Sequence, residues 1–244
     1  MGYRIKERIC LVTGANRGIG LAIVESLLRH GAAKIYTGVR TLERADRLVS
    51  RYGEKVLPLI IDYNDPATIE AAAETALDAQ VVISNAGILK QAQVFDQNAI
   101  DIFKEELEIN VYGLIRMARA FAPVLKANGG GAFVQINSIA SLANFDEFST
   151  YCASKAAAYS FTQALRAPFA AQGTALLSVH PGPIETDMAA SAGMAGMGDP
   201  PEVVAEGIVN ALQAGDFLLF PDEMAGNFKT AYHSFAEGVI SAAE

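Results

Sequence analysis

The sequence predicts a single α/β domain built on a doubly wound parallel sheet of about seven strands, with helices on both faces. Three observations support this fold class. Short apolar runs alternate with longer amphipathic stretches along almost the whole chain. Most apolar runs lack the every-second-residue alternation of a half-exposed strand, which is typical of strands buried on both faces. Because parallel strands require crossovers, the intervening helices are expected on both faces of the sheet.

The predicted strands are short apolar runs. They are Ile9–Thr13, Lys34–Val39, Val56–Ile61, Val81–Ser84, Ala132–Ile136, Ala175–His180 and a short Phe217–Phe220. Another α/β topology, such as a barrel, is the alternative that the pattern alone leaves open.

The predicted helices lie between these strands: Ile19–His30, Leu42–Tyr52, Pro66–Leu77, Ile102–Leu125, Tyr151–Gln172 and Pro201–Ala214. Gly31 follows the first helix and Gly215 the last, and glycine is favoured just beyond a helix C-terminus. Asp65 precedes Pro66, a combination that favours a helix start.

Composition excludes several classes of protein. The chain has 244 residues, of which 51% are hydrophobic and 19% charged, so it is not a disordered chain. A net charge of −8 argues against a nucleic-acid or anionic-membrane partner. No apolar stretch approaches the ~18 residues of a membrane span. Two cysteines, Cys10 and Cys152, are too few for a disulfide scaffold, so we expect a cytoplasmic protein.

A glycine-rich turn joins the first strand to the first helix. Gly14 permits a tight turn, Gly18 lets the backbone approach a pyrophosphate, and Gly20 allows close packing of helix and strand. The helix N-terminus then offers free N–H groups to phosphates. An ordinary tight turn is the alternative reading. The remaining candidate contacts within the turn are Asn16, Arg17 and Ile19.

The Gly-x3-Gly-x-Gly spacing of this turn resembles that of the short-chain dehydrogenase/reductase family, in its shorter single-domain form. The resemblance covers residues from Ile9 to about Phe220 and implies a Rossmann-like NAD(P)-binding domain. It implies that Asp62 contacts the adenine ring and that Thr186 bonds the nicotinamide carboxamide. The other cofactor contacts that it implies are Tyr63, Asn85, Ala86, Gly87, Pro181, Gly182 and Ile184.

The end of the second strand indicates which cofactor binds. An acidic residue there would bind the ribose 2′-hydroxyl of NAD and repel the extra phosphate of NADP. Positions 37–40 hold no carboxylate, and Arg40 is placed to contact a phosphate, with Arg17 as a second cation. The sequence therefore predicts NADP(H), whereas solvated surface arginines are the alternative.

Tyr151 and Lys155 are the candidate reacting pair. They are four residues apart at the start of a predicted helix, so they share one face. A nearby ammonium group is expected to lower the phenol pKa, which would let Tyr151 act as general acid or base. Such pairs also occur on ordinary exposed helices.

Two further polar residues complete the predicted site. Ser138 follows the fifth strand, and its hydroxyl could hold a substrate oxygen. The family resemblance implies a catalytic tetrad of Asn110, Ser138, Tyr151 and Lys155, in which Asn110 anchors a water and Lys155 also holds the nicotinamide ribose. His180 is rejected as the base because the Tyr151–Lys155 pair fills that role. The histidines lack metal-ligand spacing, so no metal is predicted.

Segment 186–200 is small, apolar and interrupted by glycine, so we interpret it as a mobile lid over an apolar small-molecule substrate. Met188 and Met194 in this lid, together with Asn144 and Phe145, are the candidate substrate contacts besides Ser138 and Tyr151. A merely flexible connection is the alternative.

The predicted function is an NADPH-dependent carbonyl reductase, reversible as a secondary-alcohol dehydrogenase. A reductase of carrier-bound 3-oxoacyl groups and a non-catalytic NADP(H)-binding protein are the alternatives. The resemblance implies that the two longest helices form the interface of a homodimer or homotetramer, with ordinary core packing as the alternative. The tail 221–244 is the part least matched by the family.

Overall fold

The computed structural model describes residues 2–235 and 237, and within them seven strands form one parallel sheet in the order β3-β2-β1-β4-β5-β6-β7. The predicted fold class is therefore confirmed. The strands are β1 (Ile9–Thr13), β2 (Lys34–Val39), β3 (Val56–Ile60), β4 (Val81–Ser84), β5 (Ala132–Ile136), β6 (Ala175–Val179) and β7 (Leu218–Leu219).

The helices connect these strands. They are α1 (Gly18–Arg29), α2 (Asp46–Tyr52), α3 (Pro66–Thr75), α4 (Ala99–Glu106), α5 (Gly113–Ala127), α6 (Ser149–Ala164), α7 (Arg166–Ala171), α8 (Asp187–Ser191), α9 (Pro201–Ala214) and α10 (Glu223–Phe235). Asp65 caps α3 by accepting a hydrogen bond from the Ala67 N–H at 3.2 Å, as the sequence predicts. Gly31 and Gly215 follow α1 and α9 with positive φ angles.

The sheet separates two apolar layers. One contains side chains of α1, α2 and α9, including Leu27, Leu48 and Val209. The other contains side chains of α3, α5, α6 and α7, including Phe121 and Phe169. Each fully buried side chain of this kind contributes ~1.5–3 kcal/mol relative to an exposed one. The two layers hold the strand ends in fixed positions, and the candidate site lies at the carboxyl ends.

Strand β3 is partly exposed, although its apolar sequence predicts a strand that is buried on both faces. Leu57 and Ile60 are exposed because β3 is the edge of the sheet. Pro58, which lacks an N–H, is tolerated in β3 because an edge strand leaves some N–H positions unpaired.

Both of the long predicted helices are interrupted. The first begins at Ala99 and contains a π-helical turn at Leu107–Tyr112, between α4 and α5. The second is divided into α6 and α7 near Leu165. Pro168 has no N–H to donate to the carbonyl four residues earlier, which explains this second break.

Two helices were not predicted. Helix α8 lies within the predicted lid, and α10 lies within the tail 221–244, of which residues 236 and 238–244 fall outside the described residues. Within the described part of the chain, none of these helices has both the length and the apolar character needed to cross a lipid bilayer.

Candidate active site

A cavity of about 670 Å³ opens at the carboxyl end of the sheet. It lies where β1 and β4 are neighbours, the point at which the strand order reverses and where such sheets bind ligands. Every residue that the sequence analysis placed in the site lines this cavity except Asn110 and Asn144. The topology thus brings together residues that lie far apart in the sequence.

The glycine-rich turn forms one wall of the cavity. Gly14 has a φ of +63°, a conformation that side chains disfavour, so the tight turn requires glycine there. A Cβ atom on Gly20 would overlap the carbonyl oxygen of Gly14, so close helix–strand packing requires glycine too. A Cβ atom on Gly18 would lie 3.0 Å from the Thr186 methyl group.

The N-terminus of α1 is open to the cavity. Its N-cap residue, Arg17, makes no side-chain capping bond, and its first turn has no acidic residue. The free N–H groups and the positive end of the helix dipole therefore suit an anionic group. Together with a turn that requires glycine at positions 14 and 20, this arrangement fits the pyrophosphate of a dinucleotide.

The loop after β4 packs against the same turn. The Thr13 hydroxyl accepts hydrogen bonds from the N–H groups of Asn85 and Ala86, at 2.9 and 3.0 Å. The Asn85 side-chain amide donates to the Thr13 carbonyl at 2.8 Å. These bonds fix Asn85 and Ala86 beside β1, where both line the cavity.

Cationic side chains lie at the far end of the cavity, near β2. Arg40 and Arg44 are both exposed and both line it, although sequence analysis singled out only Arg40. Arg44 was missed because it lies in a 3-10 turn, Leu42–Ala45, rather than at the strand end. Arg17 forms an ion pair with Asp187, with 3.2 Å between Nη1 and Oδ2.

Asp62 and Tyr63 make contacts within the fold. The Asp62 carboxylate accepts a hydrogen bond from the Asn64 N–H at 3.0 Å and so caps the turn after β3. Tyr63 is buried, and its hydroxyl bonds Thr13 and Ser84, at 2.9 and 3.1 Å. A direct cofactor contact of either side chain stays a prediction.

Tyr151 and Lys155 occupy the first turns of α6, and both are buried at the cavity wall. The Lys155 ammonium lies 5.8 Å from the centre of the Tyr151 ring and donates a hydrogen bond to the Ile136 carbonyl at 3.0 Å. The predicted shared helix face is therefore present. This hydrogen bond anchors the Lys155 ammonium to the carboxyl end of β5.

The predicted lowering of the Tyr151 pKa is wrong in this structure. Burial raises the pKa of Tyr151 above its usual range, and its hydrogen bond with Ser138 acts in the opposite direction but is weaker. Burial also lowers the pKa of Lys155 to about 8. Removal of both groups from water opposes the ionisation of each, and for Tyr151 this effect outweighs the ammonium charge on which the prediction rested.

Ser138 lies directly after β5. Its hydroxyl accepts a hydrogen bond from the Ala140 N–H at 3.1 Å and faces the Pro181 carbonyl at 3.3 Å. A short 3-10 turn, Ile139–Ser141, begins at this residue and orients it. The hydroxyl is thus held on the cavity wall near Tyr151, where it could contact a substrate oxygen.

Asn110 lies behind the cavity wall, within the π-helical turn. Its carboxamide accepts from the Ile88 N–H and donates to the Ile88 carbonyl, both at 3.0 Å. It also donates to the Ser154 hydroxyl at 2.9 Å. A Cβ atom on Gly87 would lie 3.2 Å from Asn110 Oδ1 and 3.7 Å from Lys155 Nζ, so both polar groups approach the same glycine.

His180 has a structural role, as the sequence analysis argued. The ring is fully buried, and its Nδ1 and Nε2 atoms bond the hydroxyls of Ser141 and Ser178, at 2.9 and 2.8 Å. Burial lowers the pKa of His180 to about 4. A neutral imidazole with both nitrogens occupied cannot reach a substrate proton.

The loop after β6 forms another part of the cavity wall, and its Thr186 lies close to Gly18 of the glycine-rich turn. Pro181, Gly182, Ile184 and Thr186 all line the cavity. The Thr186 hydroxyl accepts from the Ala189 N–H at 3.2 Å and so caps α8. The predicted bond from Thr186 to a carboxamide stays a prediction.

The substrate end of the cavity is mostly apolar. Phe145, Met188 and Met194 line it as predicted. Asn144 is exposed and does not line the cavity, and its assignment as a substrate contact stays a prediction. Met224 also reaches the cavity, from α10, and was not predicted from the sequence. No local pattern marks Met224, since its place depends on the fold of the tail.

The described residues, 2–235 and 237, contain no group of three or more His, Cys, Asp or Glu side chains that could hold a metal ion.

Comparison with known proteins shows similarity in both sequence and fold to short-chain dehydrogenases. The family described as short chain dehydrogenase matches residues 8–195. A crystal structure of a short-chain dehydrogenase from Burkholderia cenocepacia, in complex with NADP, superposes with a TM-score of 0.88 at 30% identity and covers 98% of each chain.

Curated relatives agree with this family. The NADP-dependent 3-hydroxy acid dehydrogenase of Schizosaccharomyces pombe is 32% identical over 193 residues, which are 75% of this chain and 74% of that protein. The probable oxidoreductase EphD of Mycobacterium tuberculosis is 32% identical over 205 residues, 81% of this chain. The chain spans only about a third of EphD, since the match covers 34% of that protein.

Proposed function

Because the chain belongs to the short-chain dehydrogenase/reductase family, we propose that it is an NADPH-dependent carbonyl reductase, reversible as a secondary-alcohol dehydrogenase. One observation carries this proposal: the glycine-rich turn and the side chains of Ser138, Tyr151 and Lys155 line a single cavity. A dinucleotide site and a proton donor therefore share one space, as coupled hydride and proton transfer requires.

The chain's own residues would hold the cofactor in a defined order. The N-terminus of α1 binds the pyrophosphate, the loop at Asn85–Gly87 supports the adenosine half, and Lys155 holds the nicotinamide ribose. Ile184 and Thr186 contact the nicotinamide. When bound, the nicotinamide supplies the hydride for reduction or accepts it in the reverse direction.

Tyr151 moves the proton in this reaction. In reduction its hydroxyl donates a proton to the substrate oxygen, and in oxidation it accepts one from the alcohol. Burial raises the pKa of Tyr151, so the phenol is protonated at neutral pH, which is the form that donates the proton in reduction. The Lys155 ammonium stabilises the phenolate left after proton donation.

Ser138 and Asn110 support this proton transfer. The Ser138 hydroxyl holds the substrate oxygen and stabilises the charge that develops on it. Asn110 fixes the Ile88 backbone, and its Oδ1 atom and the Lys155 ammonium both approach Gly87. This position supports a proton relay that starts at Lys155.

The cofactor is NADPH rather than NADH, because Arg40 and Arg44 line the adenosine end of the cavity. Loss of one charge-assisted phosphate bond should cost about tenfold in affinity. We expect Arg40→Ala to lower kcat/KM for NADPH about tenfold and to leave kcat/KM for NADH unchanged. Arg47→Ala is the matched control, since Arg47 is exposed but does not line the cavity. Equal kcat/KM for both cofactors in the native protein would reject the assignment.

The substrate is a small, largely apolar ketone or aldehyde. The lid segment 186–200 contributes Met188 and Met194, and Phe145 lies on the opposite side. Methionine side chains adapt to different apolar shapes, so we expect a range of substrates.

A carrier-bound substrate needs a basic docking surface, but Arg116 is already bound to Glu108 and to the Tyr63 carbonyl, the latter at 2.9 Å.

The direct test is NADPH consumption with a panel of ketones, aldehydes and acyl thioesters. Tyr151→Phe should reduce turnover by at least about a hundredfold, while NADPH binding, measured by fluorescence, persists. Tyr159→Phe is the matched control: this buried phenol of the same helix faces the Tyr232 hydroxyl at 3.3 Å, away from the cavity. Full turnover by Tyr151→Phe would reject the mechanism, and no consumption with any carbonyl would reject the function.

The assembly is a homodimer or homotetramer joined through α5, α6 and α7. A groove of about 250 Å³ on this face is lined largely by apolar side chains, including Leu114, Ala118, Phe161 and Leu165. Phe161 is 46% exposed, and a second copy of the chain would cover it. Light scattering of the native protein and of Phe161→Glu tests this assembly, since a native monomer at micromolar concentration would exclude it.

A cytoplasmic location fits the two free, buried cysteines.

A further inference from the structure

Asp222 is a buried carboxylate that bonds two separate parts of the chain. It directly precedes α10 and is only 7% exposed. Oδ1 accepts a hydrogen bond from the Ala225 N–H at 3.0 Å, which caps α10. Oδ2 accepts a shorter bond, 2.7 Å, from the N–H of Gly182 in the loop after β6. A helix cap needs only the first of these bonds.

The second bond reaches the wall of the active site. Gly182 lines the cavity between Pro181 and Pro183, and neither proline has an N–H of its own. The Gly182 N–H is therefore the one backbone donor of this tripeptide, and Asp222 accepts it. A Cβ atom on Gly182 would lie 2.6 Å from Asp222 Oδ1 and 3.3 Å from the Met224 Cβ atom. The glycine is thus required by the close approach of α10.

A neighbouring carboxylate makes a different contact and provides a comparison. Asp199 Oδ2 accepts from the Glu223 N–H at 3.2 Å, also at the start of α10. The Asp199 backbone pairs with the chain at Pro183 and Glu185, at 3.2 and 2.9 Å. Asp199 therefore joins α10 to the base of the lid, whereas only Asp222 bonds Gly182.

We propose that Asp222 is a positioning residue for the reaction: through the Gly182 N–H it fixes the loop that faces the nicotinamide. The proposal rests on the proposed function for the identity of that ligand. It assigns α10, in the tail that the family resemblance matches least, a part in cofactor binding. A loop that is held in this way needs less ordering when a ligand binds.

The test compares Asp222→Ala with Asp222→Asn. Both oxygens of Asp222 accept hydrogen bonds. Asparagine has one acceptor oxygen and can keep only one of these bonds, whereas alanine can keep neither. The first readout is the exchange rate of the Gly182 amide hydrogen in the protein without cofactor, followed by NMR. We expect Asp222→Ala to speed this exchange by at least about tenfold, and Asp222→Asn to give a rate between those of the native protein and Asp222→Ala.

The second readout is NADPH affinity, measured by fluorescence titration, together with KM and kcat. Asp222→Ala should weaken NADPH binding about tenfold and raise KM for NADPH, with kcat at saturating NADPH reduced far less. Asp65→Ala is the control, since Asp65 caps α3 in the same way but contacts no residue of the loop. It should lower Tm and leave NADPH affinity unchanged.

Two outcomes would overturn the proposal. One is NADPH affinity in Asp222→Ala equal to that in Asp65→Ala, which would make Asp222 only a helix cap. The other is unchanged Gly182 exchange in Asp222→Ala. If Asp222→Ala fails to fold, the comparison moves to Asp222→Asn and Asp222→Ser; weaker NADPH binding by the serine variant than by the asparagine variant supports the proposal, and equal binding overturns it. A native protein that binds no NADPH would instead reject the proposed function, while the exchange measurement still reports the bond.

Discussion

The Arg17 guanidinium lies 3.2 Å from the Asp187 carboxylate and so joins the glycine-rich turn to α8 of the lid. Both side chains are more than half exposed, so the pair contributes at most ~1 kcal/mol to stability. Its importance lies in the alternative partner of Arg17, because the same cation is placed to meet an anionic cofactor in the cavity.

Asp187→Asn should therefore improve NADPH binding. Without the carboxylate, Arg17 is fully available to the cofactor, and we expect KM for NADPH to fall about threefold at low salt and less at high salt. Steady-state kinetics with NADPH and NADH are the measurement, and Asp216→Asn, another exposed carboxylate, is the control. A similar fall for NADH would assign Arg17 to the pyrophosphate. No change with either cofactor would contradict the competition.

Lys155→Met should stabilise the protein while it removes turnover. Burial lowers the pKa of Lys155 to about 8, so the charged form is disfavoured in the folded state. We expect the free energy of unfolding to rise by about 2 kcal/mol at pH 7. The gain should disappear between about pH 8 and 10.5, because the native lysine loses its proton there in the folded state first.

Denaturant unfolding across that pH range measures the difference between native protein and variant. Lys126→Met, at an exposed position of α5, is the control and should show no such gain. A loss of stability in Lys155→Met at pH 7 would contradict the electrostatic argument.

His180 should make the fold sensitive to acid. Burial lowers the pKa of His180 to about 4, whereas an unfolded histidine titrates near 6.5. The unfolded state binds more protons in this window, so the free energy of unfolding should fall as pH drops from about 6.5 to 4, by up to ~3 kcal/mol. His180→Gln should flatten this slope, as followed by denaturant unfolding, whereas His233→Gln at an exposed site should not. Parallel slopes for the native protein and His180→Gln would rule out this role.

Gly20→Ala should destabilise the glycine-rich turn far more than Gly226→Ala affects α10. A Cβ atom on Gly20 would overlap the Gly14 carbonyl, while one on Gly226 would meet no atom within 4 Å. We expect Gly20→Ala to cost at least ~2 kcal/mol and Gly226→Ala to stabilise by ~0.5–1 kcal/mol. Thermal unfolding decides between them, and equal Tm values would show that the turn can relax.

The sequence was informative where function depends on spacing along one element. Tyr151 and Lys155 share a helix face because four residues make one turn, and Gly14 and Gly20 are fixed by the turn that contains them. Arg40 also lies at a position that the strand end defines. For these residues, local geometry and fold class together were sufficient.

The rest depended on packing between distant segments. The Tyr151 pKa was predicted in the wrong direction because burial is set by the complete fold. Asn144 follows Ser138 closely in sequence, yet it is exposed and does not line the cavity. Met224 and Asp222 were missed because nothing in the tail shows that α10 returns to the loop after β6. The π-helical turn around Asn110 likewise has no pattern that marks its start.

The pairing of Ile184 with Asp199 closes the base of the lid, so segment 185–198 leaves the domain and returns at one place. Lengthening a surface loop whose ends are already joined costs little conformational entropy. Insertions or exchanges within residues 188–198 would therefore leave Thr186, Asp187 and the dinucleotide half in place. Replacing this one segment can therefore change which substrate the protein prefers. Grafting the corresponding segment from related enzymes is a practical route to new substrate selectivity.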